Sequence, residues 1–147
     1  MSTESATTAP KWSSKKRIVL VSIAAILLMG VIPFGWIYIQ MHGAKKALER
    51  FGDALIAQDY ARAYGQTTDG FQTALSESAF TDMAKLLCAH HGALKSFVIG
   101  PSETEGSLGT WSATFSVRMV FEHAEEEFVF VLKKDDGVWR VNGYKEL

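Results

Sequence analysis

The chain has 147 residues with 15 Lys or Arg, 16 Asp or Glu and a net charge of −1 at pH 7, a length that suits one domain and a tail. From Ala44 onward acidic residues outnumber basic ones, which argues against attraction to nucleic acid or to anionic lipid. The single cysteine, Cys88, excludes an intrachain disulfide and a cysteine-based zinc site. Its place on an apolar helical stripe predicts a buried core thiol.

The N-terminal third of the chain has the pattern of a membrane anchor. Residues 1–17 are rich in Ser, Thr and Ala and end in a basic cluster, which predicts a disordered basic tail. Residues 18–39 follow without a charge, and as a helix they would extend about 33 Å, enough for the roughly 30 Å hydrocarbon core. A cleaved signal peptide is the competing interpretation, but the apolar run is too long and only bulky residues, 36–39, end it.

The basic residues before the span predict its orientation. Positive charge is retained on the cytoplasmic side of a membrane, so the N-terminus is expected in the cytoplasm and residues 40–147 outside it. The sequence therefore predicts a single-pass protein of the cell membrane, a signal anchor whose residues 18–39 contact the lipid bilayer.

Residues 44–91 carry three helical patterns. Apolar residues from Ala44 to Ile56 recur at steps of three and four, which predicts an amphipathic helix. Asp59 is a predicted N-cap for a short second helix. Residues 65–70, GQTTDG, break the pattern. Ser76 or Ser78 can cap a third helix, and Gly92 is suited to end it. The apolar face of the third helix consists of Phe80, Met83, Ala84, Leu87 and Cys88.

Strand patterns fill the rest of the chain. A short strand is predicted over 94–99, and residues 100–109 have the composition of a loop. The run from Thr110 to about Glu122 alternates between apolar and polar residues, which predicts a long half-buried strand. Residues 127–134 predict a central strand, residues 135–137 (DDG) a hairpin turn, and residues 138–144 a closing strand. The prediction is an α+β fold in which about three helices pack on a curved antiparallel sheet of three to four strands.

Two segments carry a resemblance to a known family. LERFGDALIAQDYARAY, residues 48–64, combines a long helix, an aspartate and a short helix with aromatics, and FVFVLKKDDGVWRVNGY, residues 128–144, is a hairpin. Together they resemble the nuclear-transport-factor-like superfamily of cystatin-like α+β cones, and in particular short, membrane-anchored bacterial members of unknown function. The resemblance covers about residues 44–147, within a predicted domain of residues 40–147. It implies a fold more strongly than an activity, because one fold hosts many functions.

The predicted inner face of the sheet offers little chemistry. The resemblance implies that an enzyme of this superfamily would place a carboxylate, tyrosine or histidine inside the cone. The apolar face of residues 110–121 carries no titratable group. The adjacent His90 and His91 point about 100° apart on a helix and chelate one ion poorly. Together with His123 and Glu122 they could form a metal site, and the alternative is that all four are solvated residues at a helix end and in a turn. No catalytic residue, metal ligand or cofactor is therefore predicted, and an enzyme is the less favoured hypothesis.

Two functions from different classes remain open. The leading hypothesis is a non-catalytic protein-interaction or dimerisation module outside the cytoplasm, with a second copy or an unknown membrane or envelope protein as partner. Its interface candidates are the polar face of the long strand, namely Ser112, Thr114, Ser116 and Arg118.

The alternative is a binder of a lipid or small apolar ligand held in the cone, or an enzyme acting on one. Its pocket candidates are the aromatic residues Tyr60, Tyr64, Trp111, Phe115 and Trp139. Tyr60, Tyr64 and Tyr144 could rim the opening of a pocket, or could be ordinary amphipathic residues at the edge of the core. A cavity of about 300 Å³ or more would favour this alternative. A third hypothesis is that the protein is a component of a larger multiprotein complex in the cell envelope.

Overall fold

The computed structural model describes the backbone of residues 14–107 and 110–147 and the side chains of residues 35–103 and 110–147. The chain divides into two compact units, Met1–Tyr38 and Ile39–Leu147. The predicted tail, 1–17, and most of the predicted span, 18–39, lie outside the residues whose side chains are described. Among residues 35–103 and 110–147, no helix is long and apolar enough to cross a membrane. The membrane anchor stays a prediction.

The described chain forms four helices followed by four strands, as predicted for an α+β fold. The helices are α1 Ser14–Ile56, α2 Tyr60–Tyr64, α3 Asp69–Ala74 and α4 Glu77–His91. The strands are β1 Leu94–Ser107, β2 Thr110–Phe121, β3 Glu125–Asp135 and β4 Val138–Glu146. The strands form one antiparallel sheet in the order β1-β2-β3-β4.

The helix boundaries follow from side-chain caps. The Asp59 carboxylate accepts from the Arg62 backbone N–H at 3.1 Å, and the Ser76 hydroxyl accepts from the Ala79 N–H at 3.3 Å, so both predicted caps are confirmed. Helix α3 is a correction, because its start was predicted as a break. It has only six residues, and it forms where the Thr68 hydroxyl accepts from the Phe71 N–H at 3.2 Å.

The predicted loop over residues 100–109 is also corrected, since β1 continues to Ser107. Gly100 and Pro101 gave the segment its loop-like composition, but the register places them in a β-bulge. Ile99 pairs with Val117 and Ser102 with Phe115, after which the ladder resumes. Proline lacks the N–H that a ladder needs, and a bulge on an edge strand accommodates it.

The turn between β3 and β4 is the predicted two-residue hairpin. Asp136 and Gly137 both have positive φ, 46° and 78°, which is the type I′ geometry that matches the twist of the flanking strands. The DDG motif is therefore confirmed as a hairpin turn.

A second bulge changes the direction of the side chains at the end of β4. Leu132 pairs with Val141, but the next residue of β3, Val131, pairs with Gly143, so Asn142 is the extra residue of a bulge. Beyond it Tyr144 pairs with inward-facing Phe130, and β4 continues with the opposite alternation. The Thr68 hydroxyl donates to Asn142 Oδ1 at 3.1 Å and fixes the bulge to the loop before α3.

The hydrophobic core lies between the helices and the inner face of the sheet. Its largest fully buried apolar side chains are Phe51, Leu48, Leu132, Val117 and Val141. The inner face has two ends. The end next to the β3–β4 hairpin is filled, and there Trp139 packs against Gly43 of α1, where an added Cβ would lie 3.1 Å from the indole. The other end is partly open.

Gly52 of α1 marks the closest approach of helix and sheet. A Cβ there would lie 2.5 Å from Cδ1 and 2.6 Å from Cγ of Phe97, and the Phe97 ring is itself packed 5.6 Å from the Phe130 ring. The clash is with a ring that is itself packed, so its cost is expected at the upper end, about 2–3 kcal/mol, of the roughly 1–3 kcal/mol usual for overpacking. The gain in helix propensity returns about 1 kcal/mol, and Gly52→Ala is therefore expected to lower the free energy of unfolding by about 1–2 kcal/mol.

The measurement is the midpoint of urea unfolding. Gly70→Ala is the matched control, since its Cβ would meet nothing nearer than the Thr68 hydroxyl at 3.8 Å, and it is expected to be neutral or stabilising. A Gly52→Ala protein as stable as the parent would contradict the close approach.

Candidate functional site

The open end of the inner face contains a cavity of about 220 Å³ between the sheet and helices α1 and α4. The sheet contributes Met119, Phe121, Phe128 and Phe130. Helix α1 contributes Phe51 and Leu55, and α4 contributes Phe80, Met83, Ala84, Leu87 and Cys88. Tyr60, Leu94, Tyr144 and Glu146 complete the lining. The cavity opens to solvent between α4 and the end of β4, because Met83 is 46% and Tyr144 is 37% exposed.

Aromatic side chains hold the cavity walls in fixed positions. The Phe51 ring meets Phe130 edge-on with centroids 5.7 Å apart and lies 6.3 Å from the Phe80 ring. Tyr144 packs against Phe128 and Phe130 at 6.2 and 5.8 Å. Such pairs prefer tilted and edge-on geometry, so the rings of the cavity wall support one another.

Few polar atoms face the cavity. The Tyr60 hydroxyl lies 3.9 Å from Cys88 Sγ and donates to it. Burial raises the pKa of the Tyr60 hydroxyl, and the hydrogen bond to Cys88 raises it further. Burial also raises the pKa of the Tyr144 hydroxyl. Both phenols are therefore protonated at neutral pH and cannot serve as bases.

The two raised pKa values predict a loss of stability in alkali. A phenol whose pKa is higher in the folded state stabilises the fold at pH values below its unfolded pKa of 10.0, and this contribution disappears as the pH rises through the folded pKa. The urea midpoint is expected to fall above pH 10. Replacing both Tyr60 and Tyr144 with Phe is expected to flatten this dependence, whereas an unchanged profile would contradict it.

The five predicted pocket residues do not all meet at this cavity. Tyr60 lines it. The Tyr64 hydroxyl donates to the carbonyl oxygens of Leu75 at 2.7 Å and Gln72 at 3.2 Å and thereby holds α3. Phe115 is 2% exposed in the core. Trp111 packs against the core from the start of β2, and Trp139 lies beside α1 at the filled end.

The four predicted interface residues lie together on the outer face of β2. Ser116 and Arg118 are exposed, while Ser112 and Thr114 are partly exposed. Arg118 Nε lies 3.5 Å from Oε1 of Glu127, its cross-strand partner on β3. Thr114 and Ser116 pair with valines of β3, so the centre of this face consists of small uncharged side chains.

The histidines do not gather into a metal site. His91 Nε2 lies 3.8 Å from Glu126 Oε1, and the rings of His90 and His91 stand nearly perpendicular with centroids 4.7 Å apart. Among the residues that the structure describes, no three His, Cys, Asp or Glu side chains are placed to hold one ion.

Sequence reasoning missed two features of the cavity wall, the inward direction of Glu146 and the partial exposure of Cys88. Tyr144 was a candidate for the rim of a pocket opening, and it lines the cavity. Glu146 faces inward because of the bulge at Asn142, whereas simple alternation from Trp139 assigns it to the outer face. Cys88 is partly exposed on the cavity wall, where a buried core position was predicted. The signal that was available is Asn142–Gly143 within the closing strand, since Asn and Gly are depleted from strand interiors and glycine often marks a bulge.

Comparison with known proteins supports the fold. No protein-family model matches the sequence, and no curated protein matches it. Among solved structures, the chain is similar to a substituted form of Rv3472, titled a function unknown protein from Mycobacterium tuberculosis. The two share 14% sequence identity and a TM-score of 0.61 over 80% of this chain and 76% of that chain. The chain is therefore similar in fold to this mycobacterial protein.

Proposed function

We propose that residues 39–147 form a non-catalytic domain that binds a small apolar ligand in the cavity between α4 and the sheet. The observation that carries the proposal is the cavity itself, about 220 Å³ and lined mainly by aromatic and aliphatic side chains. The cavity is smaller than the roughly 300 Å³ or more that would favour a lipid or a drug-sized ligand, but it is larger than an engineered apolar cavity of about 150 Å³ that takes up benzene. The ligand is therefore small, a single ring or a short acyl segment.

The chemistry of the lining favours binding over catalysis. A general base must be unprotonated and must reach a ligand in the cavity. The phenols of Tyr60 and Tyr144 have raised pKa values, and the Glu146 side chain lies at the solvent-exposed mouth. The described lining residues therefore supply packing and hydrogen bonds, and none of them is a buried general base.

The wider setting of the domain rests on the sequence. We propose membership of the nuclear-transport-factor-like superfamily, because the order of helices and strands and the concave inner face agree with the resemblance. We also propose that residues 18–39 anchor the chain in the cell membrane, with the domain outside the cytoplasm. Protease accessibility in intact cells and in inverted vesicles tests this topology, and cleavage of the domain only in inverted vesicles would contradict it.

Methionine methyl groups provide a direct test of ligand binding. Met83 and Met119 line the cavity and Met41 does not. In full-length protein with ¹³C-methyl methionine, reconstituted in lipid nanodiscs, toluene is expected to shift the Met83 and Met119 resonances saturably and to leave Met41 without a saturable shift. Absence of a saturable shift at both cavity methionines would contradict the proposal.

A second candidate function is dimerisation through the outer face of the sheet. The observation that favours it is the composition of that face. Small uncharged side chains such as Thr114, Ser116 and Val129 lie at its centre, and the exposed Arg118–Glu127 ion pair lies beside them. A two-fold copy could pack on such a surface and place Arg118 of one subunit near Glu127 of the other.

Charge reversal at Arg118 tests this candidate. Arg118→Glu places two acidic side chains opposite each other and is expected to weaken a dimer at least tenfold in sedimentation measurements on detergent-solubilised protein. It should change the stability of the monomer by less than about 1 kcal/mol, because the pair is exposed. Lys85→Glu on α4 is the matched charge reversal away from the sheet. Equal dissociation constants for Arg118→Glu and the parent would contradict the interface.

A further inference from the structure

The charge at the mouth of the cavity indicates what kind of ligand it accepts. Seven aromatic rings line the cavity, and of the lining residues in the described chain Glu146 alone carries a full charge at neutral pH. None of the described Lys, Arg or His side chains lies within ion-pair distance of the Glu146 carboxylate. The mouth therefore presents a negative charge that the domain itself does not neutralise.

The bulge at Asn142 places this charge beside an aromatic ring. Tyr144 and Glu146 are two residues apart on β4 and pair with the inward-facing Phe130 and Phe128, so their side chains share one face of the strand. The Tyr144 ring packs against three phenylalanine rings, those of Phe71, Phe128 and Phe130. The Tyr144 side chain nevertheless remains 37% exposed. A ring face next to a carboxylate is the arrangement that attracts an organic cation.

The neighbouring charged residues do not reverse this field. Glu126, which pairs with the cavity residue Met119, adds a second carboxylate on the same side of the sheet, and His91 lies 3.8 Å from it. Lys145 lies between Tyr144 and Glu146 in sequence and therefore projects to the outer face. An anionic ligand such as a free fatty acid would bring its carboxylate toward two others.

We infer that the ligand is a small apolar amine, whose apolar body fills the cavity and whose protonated amino group lies at the mouth between the Glu146 carboxylate and the Tyr144 ring. This inference rests on the proposed function and adds the chemical class of the ligand. The carboxylate accepts a charge-assisted hydrogen bond from the ammonium group, while the ring contributes cation–π attraction.

Three ligands with the same ring and different charge test the inference. Benzylamine is cationic at pH 7, benzyl alcohol neutral and benzoate anionic. Their dissociation constants are measured from the Met83 and Met119 methyl shifts of full-length protein in phosphatidylcholine nanodiscs, with free ligand determined by equilibrium dialysis. Benzylamine is expected to bind about five- to tenfold more tightly than benzyl alcohol, and benzoate more weakly than both, since an exposed ion pair and a cation–π contact each contribute modestly.

Substitution of the carboxylate separates local from general charge effects. Glu146→Gln is expected to bring benzylamine and benzyl alcohol within about twofold of each other and to leave the affinity for benzyl alcohol unchanged. Glu125→Gln, an exposed carboxylate on the outer face of β3, removes the same charge and should keep the preference for the amine.

Each outcome decides a different claim. Equal binding of all three compounds, or an amine preference that survives Glu146→Gln, overturns the amine inference and leaves the apolar-ligand proposal standing. Loss of the preference in Glu125→Gln as well assigns it to net charge and also overturns the inference. Binding of none of the three compounds overturns both.

Discussion

Replacing Ala84 with phenylalanine is expected to weaken binding of a small apolar ligand at least tenfold while the domain stays folded. Ala84 lies on the α4 wall of the cavity, so the new ring occupies the space that a ligand would fill. The affinity for toluene is expected to fall at least tenfold, which corresponds to about 1.4 kcal/mol. The free energy of unfolding should change by less than the roughly 1–3 kcal/mol that overpacking usually costs, because the new ring enters a space that is empty in the parent.

The same substitution elsewhere on the helix provides the control. Ala89 is exposed on α4, and Ala89→Phe is expected to keep the affinity of the parent. The readout is the toluene titration of the Met83 and Met119 methyl groups, with urea unfolding as the measure of stability. If Ala84→Phe binds toluene as tightly as the parent does, the ligand lies outside this cavity.

Replacing Phe115 with alanine is expected to lower the free energy of unfolding by about 3–5 kcal/mol. Its ring is 2% exposed on the inner face of β2, where it pairs with Phe130 of β3 and Ser102 of β1. Truncation removes buried surface and leaves a void that strands on both sides cannot close. For a domain of this size such a loss is a large share of the usual total of about 5–15 kcal/mol.

Thr114 is the matched control because it is the neighbour of Phe115 on the opposite face of β2. Thr114→Ala is expected to cost about 1 kcal/mol or less, within the range of strand propensities. Chemical denaturation of the three proteins measures the difference. Equal losses for Phe115→Ala and Thr114→Ala would mean that the two faces of β2 are not distinguished by burial.

The fold could be predicted where one local rule governs each element. In β2 the alternation holds from Ala113 to Met119, and the odd-numbered side chains are all buried. Asp59 and Ser76 could be assigned as caps because a cap needs only its own side chain and the next turn of backbone. The DDG turn could be assigned because type I′ geometry requires residues that tolerate positive φ.

The errors arise where tertiary contacts override composition. Residues 100–107 contain Gly, Pro and Ser and would form a loop in isolation, yet β2 supplies a partner strand across the bulge at Gly100 and Pro101. Residues 69–74 form α3, and its N-cap residue, Thr68, is held in place by a hydrogen bond from its hydroxyl to Asn142 Oδ1 of β4. Neither contact is encoded within the segment that it stabilises.

Prediction of the cavity lining from the sequence depended on one residue, the extra residue Asn142 of the bulge in β4. Alternation from Trp139 assigns Tyr144 to the outer face, and the bulge at Asn142 reverses that assignment. Three of the five predicted pocket residues, Trp111, Phe115 and Trp139, are bulky side chains that occupy the filled end and the core. Size alone does not distinguish a ring that lines a cavity from a ring that fills one, because both belong to the same apolar face.

The most direct test of the binding proposal is a toluene titration of full-length protein and its Ala84→Phe variant, observed at the Met83 and Met119 methyl groups in nanodiscs. The account predicts a saturable shift of both resonances in the parent and an affinity at least tenfold lower in the variant. Identical shifts in the two proteins, or no saturable shift in the parent, would contradict the claim that this cavity binds a small apolar ligand.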